Sequence, residues 1–376
     1  MARLAQRSTG ALAVGRAPSP MDLVAGVPLA LWLAVGSSVL SYAGAVWDVS
    51  WHRTVGRDTF WSPPHLVLYA GVLAGLGVAV WPLAESALRP RRFPGPSWRV
   101  GALSLSAGFL LATIGRLVTL LSAPFDDLWH LLYGRDVDIW SPPHLTGLLG
   151  NAIALTGWTM ALMPWLAGSK ARSPGGTPSA VFAFFLGNLL YTGWFSLNWY
   201  HMVSASRDAL LYPSLVGLAL LPFLTAAGHA SQTRWGATAA AAAFVGFAIV
   251  PIAALDVVGW RAPAFPPLLV VPALGLDLLR RASPRLPGSA ATVAEGVAFA
   301  LLFVAVEFLR MAVAPPPLPP GGLAARVVGP YLVAAAERPW TLPSVATALP
   351  TVLLASVVGA TVGRLVAALL RRGATP

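Results

Sequence analysis

Long apolar stretches alternate with short polar stretches along nearly the whole chain. A helix needs about 20 mostly apolar residues to cross the hydrocarbon core of a bilayer. The apolar stretches that approach or reach this length span residues 23–46, 64–84, 101–123, 143–167, 179–198, 209–228, 236–256, 264–279, 289–312 and 344–369. The pattern therefore predicts an all-α polytopic membrane protein of about ten transmembrane helices, in which the short, proline-rich eighth stretch is tilted or re-entrant.

The composition agrees with this fold class. Of the 376 residues, 56% are hydrophobic and only 10% are charged, whereas soluble domains average about 25% charged residues. The net charge of +11 is spread thinly between the apolar stretches, so we expect the bilayer as a partner and no nucleic acid. The chain has no cysteine, which excludes disulfides, thiolate zinc sites, iron-sulfur clusters and catalytic cysteines.

The basic residues predict an orientation. With the N-terminus placed in the cytoplasm, about two thirds of the 25 Lys and Arg residues fall on the cytoplasmic side. The first apolar stretch is too long for a signal-peptide core, so we expect it to be retained after the basic tail of residues 1–20. We therefore expect the cytoplasmic membrane of a prokaryote, with both termini cytoplasmic.

The first and second outer loops carry the same polar motif. Both read Asp-x3-His-x3-Gly-Arg-Asp and then Trp-Ser-Pro-Pro-His-Leu, and the second loop contains one inserted residue between the two parts. Such a match predicts a duplicated helical hairpin within residues 21–168. Ser214 and Trp260 replace histidines in two weaker copies, which predict two degenerate hairpins within 179–280. Residues 289–376 would then form a two-span appendage with a proline-rich outer loop at 314–343.

The duplicated motif places one carboxylate and two imidazoles in each hairpin. An Asp and a His four residues apart share one face of a helix, and Pro-Pro suits the first turn of the next helix. Each hairpin thus predicts a two-His, one-carboxylate metal site, which suits copper, iron or zinc. The predicted ligands are Asp48, His52 and His65 in the first site, and Asp126, His130 and His144 in the second.

Other interpretations of the motif remain open at this point. The second Asp of each loop could accept a ring proton from a ligand histidine, while the neighbouring Arg balances charge; these residues are Arg57, Asp58, Arg135 and Asp136. The six predicted ligands could form two sites or one dinuclear centre. The loops could also be rigid hydrogen-bonded caps without metal.

The remaining polar residues within or near the spans give weaker signals. His201 and His229 are more readily explained as structural residues. Arg116, Glu295 and Glu307 lie within apolar stretches, where ionisable side chains are costly and often functional. A proton-relay or transport role is one explanation for them. Glu307 could instead pair with Arg310, three residues later.

The spacing of the motifs resembles that of a copper-binding membrane subunit of the particulate methane and ammonia monooxygenases, the copper membrane monooxygenase family. That family carries Asp-x3-His-x12-His at one copper site and Asn-x3-His-x13-His at a neighbouring one. The first pattern matches Asp48, His52 and His65, and the second matches the later set in spacing, with Asp126 in place of Asn. The resemblance covers about residues 40–150. It implies copper, oxygen activation, hydroxylation of a small apolar substrate, and partner membrane subunits.

The sequence thus favours a metal-binding membrane protein with its sites at the extracytoplasmic end, alone or as a homo-oligomer or with partner subunits. A transporter or channel is the main alternative, because internal repeats and polar groups at membrane depth are also found there. A b-type haem protein with axial histidines and an assembly protein without metal are further alternatives.

Overall fold

The computed structural model describes residues 18–56, 59–88, 94–101, 103–133, 141–169, 176–197, 207–231, 233–260, 266–314 and 338–372. Within them the chain is an all-α bundle, as predicted, with two short antiparallel strand pairs. The strands are β1 (Leu23–Val24), β2 (Val27–Pro28), β3 (Ser97–Val100) and β4 (Leu103–Ser106). The helices are α1 (Leu29–Thr54), α2 (Pro63–Leu88), α3 (Ala107–Tyr133), α4 (Pro142–Ser169), α5 (Thr177–Ser196), α6 (Leu211–Ala219), α7 (Leu221–Ala230), α8 (Gly236–Val257), α9 (Val270–Ala282), α10 (Gly288–Val313) and α11 (Leu342–Arg372).

Nine helical segments in the described part of the chain are long and apolar enough to cross a membrane. One of them combines α6 and α7, which meet at Leu220 just before Pro222. The predicted eighth stretch contains only the 13-residue α9, about 20 Å of helix at 1.5 Å per residue. By length alone it falls short of the roughly 30 Å hydrocarbon core.

Contacts along this short segment nevertheless define its direction. Near the end of α9, Asp277 accepts hydrogen bonds from the amides of Ala237 and Thr238, which begin α8. Before α9, the amide of Leu268 donates to Glu307, which lies near the end of α10. The segment therefore runs antiparallel to both α8 and α10 and returns the chain to the side on which α8 starts. The up-and-down order of the helices is kept.

The helices that carry the motifs extend beyond their apolar stretches. The first helix continues to Thr54, and α3 continues to Tyr133. The Asp and first His of each motif consequently lie on the last turns of these helices. The following helices begin at Pro63 and Pro142, as the Pro-Pro dipeptides predict.

Small residues bring the two helices of each motif hairpin close together. A Cβ atom on Gly71 of α2 would meet Ser41 of α1, and a Cβ on Gly150 of α4 would meet Thr119 of α3. These two contacts occupy matching places: the α1 and α3 residues differ by 78 positions and the α2 and α4 residues by 79. The difference of one equals the residue inserted in the second loop. The two hairpins thus pack through equivalent positions.

Later parts of the bundle pack differently. The fifth helix lies mainly against α4 and α8 and makes far fewer contacts with α6 and α7, the helices predicted to complete a third hairpin. The last helix, α11, packs on α6, α7 and α10. The largest buried side chains, which include Trp158, Trp194, Phe185 and Phe244, lie where α4, α5 and α8 meet. This core supports the inner side of the motif hairpins.

Candidate metal centres

The first triad joins the end of α1 to the start of α2. His52 lies one turn beyond Asp48 on α1, and His65 enters from the first turn of α2. The Nε2 atom of His52 is 3.7 Å from Oδ2 of Asp48, and Nε2 of His65 is 3.1 Å from Oδ1. The carboxylate therefore lies between two imidazoles that both present Nε2 to it, as the spacing predicts.

The second triad repeats this arrangement at the end of α3 and the start of α4. The Nε2 atoms of His130 and His144 each lie 3.3 Å from a different oxygen of Asp126. Side-chain exposure in the two triads ranges from 11% for His65 to 29% for His144, so the imidazoles and carboxylates are mostly buried. All six predicted ligand residues are thus brought together in two sets of three.

Each set has the dimensions of a metal site. Its three ligand atoms all lie within 4.8 Å of one another. Around an ion with ligand bonds of about 2.1 Å, neighbouring ligand atoms lie about 3.0 to 3.4 Å apart in octahedral or tetrahedral geometry. Three of the four nitrogen-oxygen distances fall in or near that range. Within the described residues the two sets are separate groups and do not form a single six-ligand cluster.

The buried carboxylate oxygens distinguish this geometry from a hydrogen-bonded cap. Oδ1 of Asp48 and Oδ1 of Asp126 are buried, and neither accepts a hydrogen bond from any residue that the structure describes. This holds although an imidazole Nε2 lies only 3.1 or 3.3 Å away. A cap would direct the N–H groups at these oxygens, because a buried acceptor without a partner is unfavourable. The arrangement instead suits donor atoms that share a cation.

A serine that the sequence reasoning missed orients one of the imidazoles. Oγ of Ser141 lies 2.9 Å from Nδ1 of His144. If Nδ1 carries the ring proton, it donates to Ser141 and leaves the Nε2 lone pair free for a metal. The available signal was the Ser-Pro-Pro-His order, which places the serine one turn before the histidine.

Several predicted residues lie outside the described part of the chain. They include the four proposed supporting residues, Arg57, Asp58, Arg135 and Asp136, together with His201. Most of the basic tail at 1–20 and of the proline-rich segment at 314–343 is also outside it. Predictions for these residues remain untested.

One cavity of about 200 Å³ connects the two triads. Asp48, His52 and His65 line it from one hairpin, and Asp126 and His144 from the other. Its wall between the triads and the interior is mostly apolar and includes Ala45, Val49, Leu68, Leu120, Ala123 and Leu148. The triads therefore face a common space large enough for a small molecule, since a cavity of about 150 Å³ holds benzene.

The inner end of the cavity is polar. Arg116 of α3 is fully buried there. Its Nη1 donates to Oδ1 of Asn151 over 3.1 Å, and its Nη2 donates to Oγ of Ser38 over 3.3 Å. Nδ2 of Asn151 in turn donates to Thr192, which donates to the carbonyl of Asn188. Side chains from α1, α3, α4 and α5 thus form a continuous polar floor.

An apolar groove of about 540 Å³ lies behind one wall of this cavity. It runs between α1, α5 and α8, and its lining includes Val39, Val46, Phe184 and Phe247. Tyr42 lines both the groove and the cavity. A single aromatic side chain therefore belongs to the partition between them.

A second polar cluster binds later helices together. Glu295 of α10 is 1% exposed and accepts from Arg280 over 2.9 Å and from Arg364 over 3.0 Å. Nε2 of His229 lies 2.8 Å from the same carboxylate. These contacts join α7, α9, α10 and α11, so His229 has the structural setting expected for it. The predicted pairing of Glu307 with Arg310 is confirmed, because Nε of the arginine lies 2.6 Å from the carboxylate.

Comparisons with known proteins add no relative. No protein-family model, curated protein or solved structure matches the chain. Conclusions about function therefore rest on the geometry of the two triads and of the cavity that they share.

Proposed function

We propose that this chain is an integral membrane protein that binds one transition-metal ion in each of its two Asp-His-His triads. The supporting observation is the convergence of three donor atoms in each hairpin around a carboxylate oxygen that accepts no hydrogen bond from the described residues. Neutral imidazole and carboxylate are the donors, and both suit copper, iron and zinc.

Copper is the metal that we propose, with iron or zinc as alternatives. Sites built from nitrogen and oxygen donors generally bind copper(II) more tightly than the other divalent first-row metals. The resemblance of the spacing to the copper-binding membrane subunit of the particulate methane and ammonia monooxygenases also favours copper. The second site departs from that family because Asp126 stands in place of Asn, which makes this site as anionic as the first.

By the same resemblance, we propose a role in oxygen activation and hydroxylation, alone or with partner membrane subunits. A bound copper ion would supply the redox chemistry with O2. The chain itself would hold the ion through Asp48, His52 and His65, or through the second triad, and Ser141 would fix one ring. The largely apolar cavity wall would keep bulk water from the ligands and leave room for a small substrate.

We also propose that the two motif hairpins are copies of one ancestral unit. The support is the matched motif in the loops together with matched helix contacts, Ser41 with Gly71 and Thr119 with Gly150. The proposed orientation follows from the basic residues: both termini are cytoplasmic, and the triads lie towards the extracytoplasmic side of a prokaryotic cytoplasmic membrane.

The haem alternative fits the triads less well. Two axial imidazoles would have to lie on opposite faces of a porphyrin, and no carboxylate would lie between them. Here Asp48 places an oxygen within 3.1 Å of one Nε2 and 3.7 Å of the other. A porphyrin edge could not pass through that gap without separating the hairpin.

Metal analysis of protein in lipid nanodiscs tests the proposal. The protein is stripped with a chelator, reloaded with copper and freed of unbound metal, and the bound copper is then counted. We expect two copper ions per chain in the wild type and one in either His52→Ala or His130→Ala. The matched control is His229→Gln, which removes an imidazole that lies outside both triads, and it should retain two.

Two results would overturn the assignment. One is a wild-type chain that holds no copper, iron or zinc after reloading. The other is a double variant, His52→Ala with His130→Ala, that still holds two ions. Electron paramagnetic resonance of the copper(II) form supplies an independent readout, because nitrogen hyperfine couplings should disappear with each histidine that is removed.

A further inference from the structure

Arg116 is a buried cation without a buried anion beside it among the described residues. Its side chain is fully buried, and its partners in that part of the chain are the neutral side chains of Asn151 and Ser38. Its Nε atom has no hydrogen-bond partner there. The other buried cations described above, Arg280 and Arg310, each contact a carboxylate. Arg116 therefore lacks the compensation that these two arginines have.

The surrounding packing holds the guanidinium in this position. A Cβ atom on Gly75 of α2 would lie 2.7 Å from Nε of Arg116, so the absence of a side chain at Gly75 makes room for the cation. Asn151 is itself held by Thr192. An uncompensated charge at membrane depth is costly and commonly marks a ligand pathway or a binding site.

The charges around the cavity favour an anion once metal is present. The lining contains two carboxylates, Asp48 and Asp126, and one guanidinium, Arg116. Each divalent ion adds two positive charges, so loading both triads changes the balance from net negative to net positive. An anionic group would then be attracted to the floor, where the guanidinium offers directed N–H donors.

We propose that the floor of the cavity binds a small carboxylate whose oxygens take hydrogen bonds from Arg116. Its aliphatic body would lie along the apolar wall formed by Leu120 and Leu148 and extend towards the triads. A cavity of about 200 Å³ accommodates somewhat more than benzene, which fills about 150 Å³. An aliphatic acid of about six carbons matches this volume.

This inference deepens the proposed function, on which it rests, by naming the class of molecule that the metal-lined cavity receives. Asp126 lies ten residues after Arg116 on α3, about 15 Å along the helix axis. A carboxylate held at the floor would thus point its far carbons towards the triads. The polar end would fix the orientation, and the apolar end would lie nearest to the metals.

Binding of hexanoate to protein in zwitterionic nanodiscs tests the proposal, with 1-hexanol as the neutral analogue and empty nanodiscs as the blank. We expect Arg116→Gln to weaken hexanoate binding at least tenfold and to leave hexanol binding unchanged. Arg281→Gln is the matched control, because it removes an exposed arginine that lies over Trp235, and it should bind like the wild type. Copper loading should tighten hexanoate binding in the wild type.

A count of bound copper in the same samples separates the two proposals and shows that the variants are folded. If Arg116→Gln does not fold, Arg116→Lys keeps the charge but loses the planar fork, and it should still bind hexanoate more weakly than the wild type. Equal hexanoate binding in the wild type and the folded Arg116 variant overturns the inference, even if two copper ions are bound. Arginine-dependent hexanoate binding without copper supports it and removes the metal proposal instead.

Discussion

Ser141 and His144 are joined across the first turn of α4 by a contact of 2.9 Å between Oγ and Nδ1. We expect Ser141→Ala to lower copper affinity at the second site by about 10- to 100-fold, because partners of this kind fix the ring and raise its basicity. Competition with a chelator of known affinity measures the effect. The first site provides the internal control, and an equal loss at both sites would contradict a local role.

The contact between Gly71 and Ser41 sets the distance between the helices of the first hairpin. We expect Gly71→Ala to destabilise the protein by about 1 to 3 kcal/mol, the usual cost of overpacking. It should also weaken copper binding at the first triad, because His65 on α2 moves away from Asp48 on α1. Thermal unfolding and the copper count measure the two effects.

Gly77 on the same helix provides the control for this substitution. A Cβ atom there has no neighbour within 4 Å, so Gly77→Ala should leave both readouts unchanged. If the two alanine variants behaved alike, close helix packing would not be what positions the first triad.

The cluster around Glu295 is expected to stabilise the fold without affecting metal binding. Glu295→Gln would leave Arg280 and Arg364 facing a neutral amide in a largely buried place. Breaking a buried ion pair by removing one partner costs about 3 to 5 kcal/mol. Unfolding should therefore occur at lower temperature or denaturant concentration, while the folded variant keeps two copper ions. The exposed Asp256 supplies a control substitution, Asp256→Asn, which should unfold like the wild type.

The absence of cysteine from the sequence allows a direct test of topology. A cysteine introduced at Val55, which is 51% exposed near the triads, should react with a membrane-impermeant maleimide in intact cells. A cysteine at Trp98, 65% exposed on the strand pair between α2 and α3, should react only after lysis. The reverse pattern would place the triads on the cytoplasmic side.

Much of the candidate site could be predicted because it depends on local spacing. The four-residue separation of Asp48 and His52 is fixed by the helical repeat, and the Pro-Pro dipeptide fixes where the next helix begins. These two local rules place His65 beside the carboxylate once the hairpin closes. Neither rule depends on the rest of the bundle.

The parts that were missed depend on distant residues. The sequence marks Arg116 as an unusual residue in an apolar stretch, but its contact with Asn151 arises from the packing of α3 on α4 and could not be inferred from spacing. The eighth stretch was ambiguous because α9 is short, and its direction became clear only through Asp277 and Leu268. The degenerate and supporting loop features lie partly outside the described residues and remain predictions.

The position of Tyr42 in both the cavity and the apolar groove affects how a ligand would be supplied. A ligand that passes at this side chain would come from the bilayer, so its local concentration would follow its lipid-water partition coefficient. Each added methylene contributes about 0.8 kcal/mol to partitioning, or roughly a fourfold enrichment. Apparent affinity should therefore rise with chain length until the cavity is full, and then fall abruptly. The optimum length would report the balance between supply from the membrane and the space beside the triads.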